Sequence, residues 1–453
     1  MSSHPQPTVA WSDPARLQAF ETWLNGLKTA YSLDPASLRP ASADASFRRY
    51  LRLDNASGQS FVVMDAPPEK EDCAPFVRVA GLLKEAGLLV PDIMDWDQVN
   101  GFMLLTDLGQ HTMMEQIDPA NPGANHERYL QAVDTLLAWQ AASKPGVLPA
   151  YDESLMRREL DLFPQWYLQQ HKGLALSEAQ SQTLEKTFGT IVERCLAMPK
   201  AYVHRDFMPR NLMIPHAPPL HGSLPPEGAD PAWGGPASDR LMIPHARPLH
   251  GSLPPEGADP AWGGPAPDRL MIPHARPLHG SLPPEGASFT LGRPGGKTVA
   301  PRAPVVAGST PATQLGVLDF QDAVYGPVTY DIASLMRDAF LTWEEDFVID
   351  ITVRYWEKAR KAGLMDFEDW HADFGAFYRA VEWMGIQRHL KVAGIFARLT
   401  LRDGKPKYLA DAPRFIDYIR STAHRYRELT PLLRLIDDIE GFQAASGFAF
   451  GRV

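Results

Sequence analysis

Apolar residues recur at three- and four-residue steps along much of this chain, and that period sorts it into helices before any chemistry is considered. Ser12-Asp13-Pro14 offers a capping side chain and a first-turn proline, and Leu17, Phe20, Leu24 and Leu27 then line one face of a predicted amphipathic helix. The period next shortens to two. Phe47, Arg49, Leu51 and Leu53 alternate along one run, and Ser60-Phe61-Val62-Val63-Met64 follows the turn Asn55-Ala56-Ser57-Gly58, so two or three antiparallel strands are expected. Phe76 to Leu89 reads as a second helix, and Gly101 to Gly109 as a strand running into a small-residue hinge between two lobes. From Asn125 the helical period takes over, with Tyr129, Val133, Leu136, Leu137 and Gln140, then Leu155, Leu162, Phe163 and Trp166, then Leu184, Phe188, Ile191 and Cys195. Helices are again expected from Asp331 to Leu335, Phe347 to Trp356, Trp370 to Leu390 and Phe415 to Leu435. A sheet-rich part followed by a helix-rich part predicts an α+β, bilobal arrangement.

One stretch fits neither period. Leu-Met-Ile-Pro-His-Ala begins at 212, 241 and 270, a 29-residue repeat, and about half of the chain's 42 prolines fall between Pro215 and Pro311. Prolines at that density exclude helix interiors and sheet ladders, and each unit has too little apolar surface to stack as a solenoid, so a disordered insertion is expected over 215–313. The near-identity of the copies is the mark of tandem duplication, which also accounts for the spacing of His216, His221, His245, His250, His274 and His279 without a metal. A proline-rich site for a protein partner is a further, weaker reading of the same stretch. Closure entropy grows only logarithmically with loop length, so a chain lacking 215–302 is expected to keep its activity or improve it; loss of activity would assign the insertion a role. The expected organisation is therefore 1–107 as a nucleotide-binding lobe, 108–214 and 314–453 as the two parts of a catalytic lobe, and 215–313 inserted between them.

Composition narrows the class. With 453 residues, 44% of them hydrophobic, the chain can bury a sizeable core, and a formal net charge of −10 argues against broad association with nucleic acid or an anionic membrane surface. Two isolated cysteines, Cys73 and Cys195, form no disulfide framework and read as buried small hydrophobes. No apolar run reaches 18 residues and the N-terminus lacks a basic segment before an apolar one, so a cytoplasmic protein is expected.

The chemistry concentrates in Tyr202 to Ile214, which reads apolar, His204-Arg205-Asp206, four residues, Asn211, apolar. In phosphoryl-transfer enzymes this spacing lets an aspartate take the acceptor hydroxyl's proton while an asparagine five positions on holds a magnesium ion. Both tasks need rigid placement and little covalent help, which a loop pinned between short strands supplies. Beyond the insertion, Leu315-Gly316-Val317-Leu318 runs into Asp319-Phe320, a second carboxylate for the same metal if the two strands pair as a hairpin. The small residues from Ala41 to Ser46 suit a phosphate-covering loop, with serines where glycines are usual.

The segments His204-Arg205-Asp206-Phe207-Met208-Pro209-Arg210-Asn211-Leu212 and Gly316-Val317-Leu318-Asp319-Phe320-Gln321-Asp322-Ala323 resemble those of the aminoglycoside phosphotransferase-like kinases, as do Gly326-Pro327 and Tyr330-Asp331-Ile332-Ala333-Ser334-Leu335. Ala41 to Tyr50, Met64-Asp65-Ala66-Pro67-Pro68, Trp383 to Lys391 and Gly394 to Arg398 are most similar to the branch of bacterial kinases that act on the anomeric hydroxyl of N-acetylmuramate and N-acetylglucosamine. The likeness covers nearly the whole chain outside the repeats. It implies a protein-kinase-like fold using ATP and Mg2+, with Asp206 as base and Asn211 and Asp319 as metal ligands. It further implies Ser42, Asp44 and Ser46 in the phosphate loop, Thr106 and Asp107 near the adenine, and Asp331 bracing the catalytic loop. Arg388 and His389, with Lys391 and Arg398, lie near the presumed acceptor helices, where they suit a muramate carboxylate or else form a solvated basic helix face. One departure is plain: the third strand reads Phe61-Val62-Val63-Met64 and lacks the usual lysine, so Lys70, Arg48 or Arg49 substitutes, or the loop and metal hold the nucleotide without one. The implied function is an anomeric amino-sugar kinase of peptidoglycan recycling. The competing readings are a kinase for aminoglycosides or other hydroxyls, and a non-catalytic scaffold.

Overall fold

The computed structural model describes residues 9–43, 48–215 and 314–442. The expectations for Asp44, Ser46 and the repeat insertion, its histidines and its partner site included, lie outside the described residues.

The first lobe is a five-stranded antiparallel sheet in the order β1-β2-β3-β5-β4, made of β1 (Leu33–Ala43), β2 (Arg49–Asn55), β3 (Ser60–Asp65), β4 (Ile93–Asp97) and β5 (Phe102–Thr106). Alternation gives the sheet two apolar faces. On one, Leu51, Leu53, Phe61, Val63, Phe102 and Leu104 bury against Phe20 and Leu24 of helix α1 (Pro14–Tyr31), whose start is capped by the Asp13 carboxylate accepting from Ala15 N–H. On the other, Met64, Met103 and Leu105 join Phe76, Val79, Ala80 and Leu83 of α2 (Ala74–Glu85) in the larger core. That helix stops short of the expected Leu89 because Gly87 takes a left-handed φ of 76°.

The second lobe is helical: α3 (Pro122–Ala141), α4 (Glu153–Leu160), α5 (Glu178–Ala197), α6 (Tyr330–Met336), α7 (Glu345–Lys361), α8 (Phe374–Leu401), α9 (Ala412–Arg425) and α10 (Thr430–Glu440). The single helix expected from Phe415 to Leu435 is two. Pro431 sits in the first turn of α10 and disfavours helical backbone just before it. α8 is buried on every side from Trp383 to Gly394, so it forms the axis of the lobe rather than a solvated face. It crosses a π-helical turn at Phe163–His171 with Gly394 against the backbone: an added Cβ would sit 2.4 Å from the Leu162 carbonyl group. Gly394→Ala is therefore expected to cost about 1–3 kcal/mol or more by overpacking, read as a lowered Tm; an unchanged melt would mean the two helices separate freely.

Two small sheets frame the loops between the lobes. β7 (Lys200–Val203) pairs with β10 (Val324–Pro327), and β8 (Leu212–Ile214) lies between β6 (His111–Thr112) and β9 (Gly316–Val317). The antiparallel register of β8 and β9 sets Leu212 opposite Val317, so the hairpin-like pairing expected across the insertion is present.

Candidate active site

The loop from His204 to Asn211 leaves β7 and enters β8 through a short 3-10 turn at Pro209–Asn211. Its backbone is fixed from below by Asp331, at the start of α6, whose carboxylate accepts from His204 N–H at 2.7 Å and Arg205 N–H at 3.0 Å. Burial lifts the Asp331 pKa to about 6 against the opposing pull of His204 and these two N–H groups, so it is an anion at neutral pH. His204 is itself buried, which lowers its pKa and keeps it neutral. Its Nε2–H donates to Leu318 C=O at 2.9 Å and its Nδ1 accepts from Asp206 N–H at 3.3 Å, one tautomer serving both. The histidine thus ties the aspartate loop to the strand that carries the second carboxylate.

Three of the sequence-predicted residues come together here. Asn211 Nδ2–H donates to the Asp206 carbonyl at 2.9 Å and approaches Asp319 Oδ2 at 3.4 Å, while Leu318 N–H donates to the Asn211 carbonyl at 2.9 Å. Asp319 also accepts from Gln321 Nε2–H at 2.8 Å. The Asn211 amide nitrogen thus lies between the Asp206 carbonyl and the Asp319 carboxylate, which keeps the side chain in the corner between the two segments. An amide oxygen beside a carboxylate fits a hard cation that takes its remaining ligands from phosphate and water, as magnesium does. No cluster of three or more His, Cys, Asp or Glu side chains suited to a metal occurs among the described residues. Arg205 and Asp319 have φ of 76° and 59°, two of the four non-glycine residues with positive φ among those described. Strain of this kind is held where a loop must aim side chains rather than relax.

Arg205 shows what holds the strained turn. Its guanidinium pairs with Glu159 of α4, which is also 3.0 Å from Lys391 Nζ of α8 and accepts from Gln387 Nε2–H at 3.2 Å and from the Tyr151 hydroxyl. Lys391 Nζ–H donates in turn to the Tyr330 hydroxyl at 3.0 Å. Burial would raise the Glu159 pKa, but Lys391 and Arg205 outweigh it and bring it down to about 2. Sequence reasoning missed Glu159 altogether; its only signal was a carboxylate on the apolar side of a short helix, between Met156 and Leu160.

The nucleotide side is more dispersed. Ser42 pairs with Tyr50 across β1 and β2. Thr106 ends β5, its hydroxyl accepting from Asp92 N–H at 2.8 Å. The Asp107 carboxylate is taken by Arg52, at 2.7 and 3.1 Å, and by the Ser60 hydroxyl at 2.6 Å. Arg48 pairs with Glu71 at 3.1 Å. Arg388 and His389 do not form the basic face that the sequence suggested. They are 1% and 2% exposed, Arg388 donates to the Arg337 carbonyl at 3.2 Å, His389 packs on Tyr418, and Lys391 is spent on Glu159. The physical reason is the all-round burial of α8; His389 still lines a small cavity with Arg337, Glu382, Tyr418 and Arg425.

Residues 37–222 and 310–371 match the model of the phosphotransferase enzyme family, a span interrupted where the repeats lie. The chain is 37% identical over 428 residues to the N-acetylmuramate/N-acetylglucosamine kinase of Neisseria meningitidis serogroup B, covering 94% of this chain and 98% of that one. It is likewise 37% identical over 435 residues to the kinase of the same name from Pseudomonas aeruginosa, covering 94% and 97%. Among solved structures it is similar to the aminoglycoside phosphotransferase APH(4)-Ia, with a TM-score of 0.46, 13% identity, and 89% and 99% of the two chains covered. Loop, strand pair and length of alignment agree, and the chain belongs to the phosphotransferase enzyme family.

Proposed function

We propose that this protein is an ATP-dependent sugar kinase that phosphorylates the anomeric hydroxyl of N-acetylmuramate and N-acetylglucosamine, as a cytoplasmic step of peptidoglycan recycling. The observation that carries the reading is the approach of Asp206, Asn211 and Asp319 on two segments that the repeats separate in sequence. Identity of 37% along 94% of the chain to kinases named for these two sugars supports the choice of acceptor. No helix among the described residues is long and apolar enough to cross a membrane.

In this reading residues 1–107 bind the nucleotide, with Ser42, Asp44 and Ser46 at the phosphates and the Thr106-Asp107 backbone near the base. The catalytic lobe is 108–214 with 314–453. Asp206 accepts the acceptor hydroxyl's proton as the oxygen attacks the terminal phosphorus and the bond to the β–γ bridging oxygen breaks, releasing ADP. A hemiacetal hydroxyl is more acidic than an ordinary alcohol, so a carboxylate is an adequate base. Asn211 and Asp319 offer the amide and carboxylate oxygens that would hold the metal. A bound magnesium ion supplies charge neutralisation to the transferred phosphoryl group. Asp331, His204 and Glu159 act through the loop, keeping Asp206 in line.

Labelled ATP offered with a panel of acceptors tests this. Transfer to N-acetylmuramate and N-acetylglucosamine, with a product labile to mild acid as an anomeric phosphate is, is the expected result. Transfer to kanamycin-like acceptors and to neither amino sugar would overturn it.

A further inference from the structure

We propose that Arg48, held in place by Glu71, is the cation that grips the nucleotide's phosphates in place of the strand lysine this chain lacks. The inference rests on the ATP-dependent reading above. In kinases that cation projects from the third strand and pairs with a glutamate of the following helix. The question is which cation occupies that place here.

The register of the sheet answers it. Directly opposed residues share a face, so Tyr50 with Met64 and Arg52 with Val62 lie on the side toward α2, while Arg49 with Asp65 and Leu51 with Val63 lie on the side toward α1. A third-strand lysine facing α2 would stand at Val62 or Met64, and both positions are apolar. Arg49 is on the wrong face and is paired with Asp65, which Arg16 of α1 also holds. Arg52 is on the right face, but Asp107 and the Gly109 carbonyl take its guanidinium at the far end of the strand. Lys70 is exposed on the turn before α2.

Arg48 remains. Two residues before Tyr50, it falls on the α2 face by the same alternation, and its Nε and Nη2 both lie 3.1 Å from Glu71 Oε2, with the two side chains 11% and 14% exposed. Glu71 lies on the turn three residues before α2, close to where the helix supplies the glutamate of the usual pair, while the cation comes from the residue just ahead of the second strand. Tyr50 also reaches the Arg48 side chain, and a guanidinium with five N–H donors in a rigid fork can serve several oxygens at once, which an ammonium on a flexible stem does less well. Arg48 is thereby a nucleotide-binding residue and Glu71 a positioning residue.

The test compares affinity for Mg-ATP with affinity for adenosine, by calorimetry on the full chain without any acceptor. Arg48→Ala is expected to weaken Mg-ATP by about 10- to 100-fold and leave adenosine unchanged, with the KM for ATP rising and the KM for the sugar holding. Arg48→Lys recovers part of the loss, Glu71→Gln loses several-fold on ATP alone, and Lys70→Ala leaves the ratio as it was. Unchanged adenosine binding shows that each variant is folded. A wild-type ratio in Arg48→Ala, or collapse of the ratio in Lys70→Ala instead, overturns the assignment. Failure of the unaltered chain to bind Mg-ATP at all overturns the kinase reading itself, which separates the two.

Discussion

Asp206→Asn is expected to lower kcat by about 10²- to 10⁴-fold, the range that a positioned general base contributes, while the fold and Mg-ATP binding persist. The loop's supports are independent of the carboxylate it carries. Asp331 holds the backbone of His204 and Arg205, His204 holds Leu318, and Asn211 donates to the Asp206 backbone carbonyl rather than to its side chain. An isosteric amide therefore removes the proton acceptor and little else. Single-turnover transfer from labelled ATP reads the loss, and a positive thermal shift with Mg-ATP confirms that the site still binds. A variant retaining more than a tenth of the wild-type rate would remove Asp206 from the base's role.

The largest effect on stability is expected at Glu159. Breaking a buried ion pair by deleting one partner strands the other, and here two cations, Arg205 and Lys391, share the one carboxylate. Glu159→Gln should cost about 3–5 kcal/mol, the usual range for a stranded buried charge. For a domain of this size that corresponds to a Tm lower by roughly 6–20 °C. The effect has a pH signature. Glu159 has a folded pKa of about 2 against an ordinary 4.5, so its contribution is complete above about pH 4.5 and is lost as pH falls from there toward 2. Melts of wild type and variant should therefore be far apart at pH 7 and converge on acidification. A gap that stays constant through that window would show that Glu159 stabilises by packing and not by charge.

What could be read in advance followed from local pattern. The helix cap at Asp13, the inward faces of α3 and α5, and the pairing of Leu212 with Val317 all rest on periodicity or motif spacing, and they stand in the structure. The period failed where the backbone leaves the 3.6-residue turn. Around the π-helical segment the buried residues are Phe163, Tyr167 and Leu168, at steps of four and five, whereas steps of three and four had chosen Leu162, Phe163 and Trp166, of which Phe163 is buried and Trp166 packs part-buried on the core. Just before it, Met156, Glu159 and Leu160 are buried rather than Leu155. Charged residues were the other failure. Glu159 and Lys391 are buried because α4, α8 and the catalytic loop pair their charges, and Arg388 because it reaches the Arg337 carbonyl, which no single helix reveals.

The strand β8 has one further consequence, which belongs to synthesis rather than to chemistry. Its outer neighbour β6 precedes it in the chain, but its other neighbour, β9, follows only after the whole insertion, from Ile214 to Gly316. At about 5–20 residues per second a ribosome needs roughly 5–20 s to make that stretch. For that interval β8 is an open sheet edge with unpaired backbone groups, the surface that invites pairing with the wrong strand. The repeats thus lengthen the time during which each new molecule is vulnerable, and the Asn211–Asp319 corner can be assembled only after they have been made.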